Sequence, residues 1–162
     1  MDVPAGTDDI EGIVDTYSDM VLRIAYHNVK ILEDAEDITQ EVFLKLIFSG
    51  KEFKSPKHEK AWLIRVTVNK CRDFFKSAQR KDLPLAADTE AAGTETSSTE
   101  VLDAVMRLPK KYGNVIYLYY YEGFTVPEIA RALQRKKSTV SSWLCRAREQ
   151  LRNSLSGGFD DE

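Results

Sequence analysis

The stretch ADTEAAGTETSST, residues 87–99, contains no aromatic side chain and no apolar side chain larger than alanine. Such a segment cannot bury enough surface to offset the entropy of ordering it, so no hydrophobic core can pass through it. A chain of 162 residues with 43% hydrophobic content has enough apolar material for one ordinary core or two small ones. Interrupted at this point, it must build two. The expected organisation is a domain over residues 8–81, a linker over residues 82–100 and a second domain over residues 101–156. The linker carries five acids and no base, which makes it acidic as well as flexible.

The formal net charge of -3 conceals a strong segregation of charge along the chain. Residues 8–46 hold ten acids and three bases, whereas residues 51–81 hold ten bases and three acids. Residues 131–152 hold seven bases and one acid, and three acids follow in the tail. Alternating blocks suit separate surfaces for separate partners, and the two basic blocks suit phosphates.

The longest apolar runs, such as residues 61–64, are far too short to cross a bilayer, and the first thirty residues lack the pattern of a secretory signal. A cytoplasmic protein without membrane insertion is expected. Cys71 and Cys145 have neither CxxC nor Cys/His ligand spacing and read as free thiols.

Helical periodicity dominates both halves. Ile10, Ile13, Val14, Tyr17, Val21, Ile24 and Ala25 recur at intervals of three and four, and Ala35, Ile38, Val42 and Leu46 repeat the pattern behind an acidic first turn. A third helix is expected over residues 59–77, with Trp62, Val66, Asn69 and Asp73 on one stripe, after a loop marked by Gly50 and Pro56. Beyond the linker, Val101, Leu102, Val105 and Met106 predict a short helix ending near Pro109, and KKYGNVIYLYYYE predicts another closed by Gly123. Thr125 and Glu128 form a capping-box pattern with Pro127 in the first turn, so a helix should run from there to about residue 133. The last helix carries Val140, Leu144, Ala147, Leu151 and Leu155 on one stripe. The tyrosine run would score for strand on propensity alone, yet no segment alternates as a strand does. The fold class is all-α, two small helical domains, the second a helix-turn-helix.

In GFTVPEIARALQRKKSTVSSWLCRAR, residues 123–148, two helices flank a turn containing Arg135, Lys136 and Lys137. A second helix of this kind can enter a major groove. Ser141, Ser142, Cys145 and Arg146 lie off the apolar stripe and could reach base edges, while Arg135, Lys136, Lys137 and Arg148 would lie near phosphates. The same pattern occurs in helical hairpins that bind nothing, and in stand-alone regulators that bind duplex DNA.

The other basic block interleaves Phe53, Trp62, Phe74 and Phe75 with its cations. Unpaired bases stack on aromatic faces while cations follow the backbone. Trp62, Phe74 and Phe75 read, each by itself, first as core residues of a small helical domain, whereas Phe53 sits in the expected loop, where a large aromatic has less structural reason to be. In EDITQEV, Asp37, Gln40, Glu41 and then Leu44 share a helix face that could dock a basic protein surface. An enzyme reading, such as a metal-dependent nuclease using His27 and His58, finds no ligand spacing, paired-acid pattern or nucleophile motif, and no cofactor is expected. His27 reads as a helix-face residue and His58 as loop or helix start.

Three stretches in order, DAEDITQEVFLKLI, AWLIRVTVNKCRDFFK and LPKKYGNVIYLYYYEGFTVPEIARAL with STVSSWLCRAREQL, closely resemble the two domains of extracytoplasmic-function sigma factors of bacterial RNA polymerase. The resemblance covers nearly the whole chain. It implies that the first domain binds the polymerase clamp and melts and reads the minus-ten element, and that the second reads the minus-thirty-five element. Asp37, Gln40, Glu41 and Leu44 then fall on the polymerase-docking face. Phe53 and Asn69 match positions that hold a flipped-out base, with Lys57, Trp62, Arg65 and Arg72 on the same surface. Ser141, Ser142, Cys145 and Arg146 match base-facing positions of the recognition helix, next to Arg135, Lys136, Lys137, Ser138 and Arg148. The implied partners are core RNA polymerase and promoter DNA, duplex upstream and single-stranded at the minus-ten region. An anti-sigma factor is common in the family but has no signature here.

Four positions depart from the family pattern. Gln134 and Arg135 replace the usual Gly and apolar residue of the turn, Trp143 replaces a usual base, and Gly113 stands where a long polar residue is common. Gly113 should weaken its helix by roughly 1 kcal/mol.

Overall fold

The structure, a computed structural model, describes residues 7–80 and 100–156. Residues 82–99 of the expected linker and the end of the acidic tail lie outside the described residues. All regular structure among the described residues is helical. The chain divides into two compact units, Met1–Ala86 and Ala87–Glu162.

The N-terminal unit is a three-helix packing of α1 (Thr7–Val29), α2 (Leu32–Ser49) and α3 (Pro56–Arg80), with α1 against both partners. Val21, Ile24 and Ala25 of α1 meet Ala35, Ile38, Val42 and Leu46 of α2 in its core, as their spacing predicts. Ile10, Ile13, Val14 and Tyr17 are only half-buried. His27 is a helix residue but not a surface one, since it is buried near the end of α1. Buried Asn28 and Thr67 satisfy their polar atoms locally, donating to the Ile24 and Leu63 carbonyls at 2.7 and 2.6 Å.

Two junctions place the functional face of α3. Gly50 closes α2 in the left-handed conformation, at φ 62°. Ser55 then caps α3: its Oγ accepts from His58 N–H at 3.2 Å and its carbonyl from Glu59 N–H at 3.1 Å. Pro56 therefore opens the helix, where its missing N–H costs nothing, and the helix begins three residues before the expected start. Leu63, Ile64, Val66, Thr67 and Cys71 of α3 are buried. Of the four residues on its expected stripe, Val66 is buried, Trp62 and Asn69 are half-buried and Asp73 is exposed. The run WLIRVTV is apolar around more of its circumference than one stripe, so periodicity alone leaves the rotation of the helix open.

In the C-terminal unit, α4 (Glu100–Arg107) and α5 (Lys110–Ile116) precede a π-helical turn at Tyr117–Tyr121, then α6 (Val126–Leu133) and α7 (Lys137–Ser156). The core gathers Val105, Ile116, Leu118, Ile129, Val140, Leu144 and Ala147. The π turn is an unforeseen feature of the tyrosine run. Glu122 N–H donates to the Tyr117 carbonyl at 3.2 Å, five residues back, and Tyr117 hydroxyl donates to Glu122 Oε2 at 2.7 Å. Gly123, at φ 73°, then turns the chain so that Phe124 N–H reaches the Leu118 carbonyl and its ring is buried.

Candidate nucleic-acid interfaces

The capping box fixes where the helix-turn-helix begins. Thr125 N–H donates to Glu128 Oε1 at 2.8 Å, and Glu128 N–H donates to Thr125 Oγ1 at 3.3 Å. At the other end of α6, Gln134 takes the left-handed conformation at φ 57°, ψ 50°. A non-glycine side chain costs about 1–2 kcal/mol there. Gln134 thus takes the backbone conformation that favours glycine without being one. Arg135 N–H donates to the Ala130 carbonyl at 2.9 Å, which pins the backbone of the next residue.

On α7, Val140, Leu144 and Ala147 are buried while Ser141, Ser142, Cys145 and Arg146 form a continuous exposed face. Arg135, Lys136, Lys137 and Ser138 are exposed where the helix begins. This brings small polar groups and one guanidinium onto one side of a helix, flanked by cations at its entry. Arg148 is placed differently. Its Nε donates to the Tyr120 hydroxyl at 2.7 Å, and its guanidinium lies 5.4 and 5.6 Å from the Tyr119 and Tyr120 ring centroids. It lines an apolar groove of about 390 Å³ with Val101, Ile116, Tyr120 and Leu151. Arg148 thus ties α7 to the π turn, an interaction invisible in the sequence because the partners lie 28 residues apart.

Trp143 is half-buried on the flank of the exposed face. Two cations from other segments lie over its ring, Lys111 Nζ at 5.6 Å and Arg135 Cζ at 5.8 Å from the centroid.

On the N-terminal unit, Trp62, Arg65, Asn69 and Arg72 recur at three and four along α3, all half-buried. Arg72 Nη1 lies 3.5 Å from Asn69 Oδ1, at the long limit for a hydrogen bond. Lys57 is exposed in the first turn. Phe53 does have a structural partner, since its ring packs on Trp62 with centroids 5.7 Å apart and planes at 57°. Lys51 Nζ stands 5.9 Å from the same indole. The result is a half-exposed aromatic pair beside a cation, continuous with a stripe of amide and guanidinium groups. Phe74 and Phe75 pack edge to face 5.4 Å apart, further along α3.

The outer face of α2 holds Asp37, Gln40 and Glu41, with Asp37 and Glu41 exposed, and then Leu44 at 50% exposure. Glu41 Oε1 lies 3.5 Å from Lys70 Nζ of α3, an ion pair whose exposure limits it to about 1 kcal/mol or less. Phe48 extends the stripe by one turn and is 78% exposed, a position that sequence reasoning missed. Its spacing of four from Leu44 was the available signal. His58 is exposed and His27 buried, and among the described residues no three His, Cys, Asp or Glu side chains are grouped to hold a metal. No described helix is long and apolar enough to cross a membrane. Neither cysteine is in a disulfide, and Cys71 is buried and Cys145 exposed.

Residues 13–81 match the family described as Sigma-70 region 2, and residues 98–151 match Sigma-70, region 4. The ECF RNA polymerase sigma factor SigW of Bacillus subtilis is 28% identical, over 91% of this chain and 89% of its own length. Two solved structures share the fold. The sigma factor RpoE bound to the anti-sigma factor NepR, from Bartonella quintana, has a TM-score of 0.68 at 21% identity, covering 95% of this chain and 99% of its own. CnrH in complex with the cytosolic domain of CnrY has a TM-score of 0.66 at 22% identity, covering 94% and 91%.

Proposed function

The chain belongs to the extracytoplasmic-function sigma factors of bacterial RNA polymerase, and on that premise we propose how its surfaces divide the work of directing polymerase to promoters and starting transcription. The observation that carries the division is that the two basic surfaces are built from different chemistry. Residues 8–81 form the polymerase-docking and minus-ten domain, and residues 101–156 the minus-thirty-five domain, joined by the acidic linker of residues 82–100.

The α2 stripe of Asp37, Gln40, Glu41 and Leu44, extended by Phe48, docks the clamp of core polymerase. Its acids meet cationic side chains, and the apolar end supplies area to desolvate. On α3 and the loop before it, Phe53 and Trp62 offer ring surface to an unpaired base of the non-template strand. Asn69 offers both a donor and an acceptor to a base edge. Lys57, Arg65 and Arg72 attract the strand's phosphates. Holding a base outside the stack offsets the cost of unpairing it, which is how a surface without chemistry of its own can open a duplex.

On α7, Ser141, Ser142, Cys145 and Arg146 read base edges of the upstream element in the major groove, and Arg135, Lys136, Lys137 and Ser138 set register through phosphates. Arg148 contributes by fixing α7 against the π turn. The protein acts by binding rather than by catalysis, without a cofactor, in the cytoplasm where polymerase works. An anti-sigma factor, as the structurally similar RpoE binds NepR, is a further partner in this proposal.

Photo-crosslinkers at Lys54, exposed beside the minus-ten surface, and at Ser142, exposed on the reading face of α7, test the assignment. In holoenzyme on promoter DNA, position 142 should label the upstream duplex and position 54 the non-template strand near minus ten. Labelling of the same region from both positions would overturn the division.

A further inference from the structure

We propose that Trp143 gathers Lys111 and Arg135 into a phosphate-binding clamp that grips the duplex backbone beside the base-reading face of α7. The proposal rests on the assignment of α7 to the upstream element. Lys111 stands in the first turn of α5, Arg135 in the turn before α7, and Trp143 on α7 itself, so three separate segments converge. Both cations are exposed, and the indole between them is half-buried.

Two cations do not converge without something to hold them. Neither Lys111 nor Arg135 has a carboxylate partner among the described residues, and what they share is the indole ring, with Lys111 also 5.2 Å from the Tyr112 ring centroid. A cation over an aromatic ring gains about 0.5–1 kcal/mol at an exposed site, enough to bias a side chain's position without neutralising its charge. Contact through the ring also leaves the N–H donors available, and a guanidinium's planar fork suits two oxygens of one phosphate. The backbone of Arg135 is already fixed by the left-handed Gln134 and by its N–H bond to Ala130. The ring therefore restricts a side chain whose base is rigid, which lowers the entropy lost on binding an anion.

The geometry selects a nucleic-acid backbone over an isolated anion. The pair adjoins exposed Lys136 and Lys137 at the entry to α7, and a row of cations along a helix edge matches a row of phosphates. It also explains the departure at position 143. A single basic side chain is replaced by a ring that positions two cations, so the aromatic is a positioning residue and the cations make the contact.

Salt dependence separates this role from a structural one. Removing a cation that neutralises one phosphate lowers the slope of log affinity against log salt by about 0.9. Between 50 and 200 mM salt, that makes the fall in affinity about 3- to 4-fold smaller for each phosphate released. Closed complexes of holoenzyme on promoter duplex should show this reduction for Lys111→Gln and for Arg135→Gln. Trp143→Ala should lower the slope part of the way toward that of the Lys111→Gln/Arg135→Gln double variant, Trp143→Phe should retain most of it, and base preference should stay unchanged throughout. Adding Arg135→Gln to Trp143→Ala should have less effect than Arg135→Gln has alone. A wild-type slope in both single cation variants would overturn the clamp, as would additive effects of Trp143→Ala and Arg135→Gln. If Trp143→Ala unfolds the unit, the two cation variants, both at exposed positions, still decide the question. Arg146→Ala is the control for the underlying assignment. Altered base preference there with unchanged slopes in the cation variants refutes the clamp alone, while no change at Arg146 refutes the assignment of α7.

Discussion

The chain contains two tryptophans, one in each unit, and both sit beside cations, yet their surroundings differ. Trp62 meets Lys51 and the ring of Phe53, whereas Trp143 meets Lys111 and Arg135. The first site is an aromatic pair with one cation over the indole, proposed to receive a flat unpaired base. The second is a ring that carries two cations, suited to phosphates. A basic stretch with interleaved aromatics is therefore ambiguous until it is known what lies on each ring.

This contrast predicts different failures when each surface is damaged. The largest single effect should come from Arg146→Ala, because a guanidinium that meets a base edge discriminates by about 1–3 kcal/mol. The loss should fall on one base position of the upstream element, measured as holoenzyme affinity across a set of single-base promoter variants. A uniform loss over all variants would make α7 a backbone-binding helix and erase its difference from the clamp beside it.

Next comes the α2 face of the N-terminal unit, proposed to dock polymerase. Reversing both Asp37→Lys and Glu41→Lys should weaken core polymerase binding about tenfold, or about 1.4 kcal/mol. Both side chains are exposed, so helicity by circular dichroism should stay normal. Unchanged affinity with a folded protein would remove α2 from the docking surface.

The smallest effect should be confined to one unit's stability. Thr125→Ala removes the side-chain half of the capping box and should cost about 1 kcal/mol. Hydrogen exchange should rise in α6 and α7 while α1 to α3 keep their protection. Equal loosening of both units would mean that they unfold as one and are not independent.

What was legible in the sequence follows the range of the interactions involved. The capping box at Thr125 and Glu128 and the buried stripes of α2 and α7 depend on residues three or four apart, so they read directly. The π turn did not, because Tyr117–Tyr121 is an apolar, aromatic run whose register is set by the Tyr117–Glu122 bond and by burial of Phe124. The rotation of α3 was left open because apolar residues occupy several of its faces, and only packing on α1 and α2 selects Leu63, Ile64, Thr67 and Cys71 for the core. Among the candidate site residues, local order placed Ser141, Ser142, Cys145 and Arg146 on one exposed face. Pairings distant in sequence escaped it: Arg148 with Tyr119 and Tyr120, Lys111 with Trp143, and Phe53 with Trp62.

The division between a melting surface on the N-terminal unit and a reading surface on the C-terminal unit is tested most directly by open-complex formation on two templates. One is an ordinary duplex promoter, and the other has its minus-ten region already mismatched, so the cost of unpairing is absent. On the duplex, Phe53→Ala, Asn69→Ala and Arg146→Ala should all be slow. On the mismatched template, Phe53→Ala should recover most of its activity, Asn69→Ala should recover rate but keep an altered base preference, and Arg146→Ala should remain defective. Equal losses for all three variants on both templates would contradict the account.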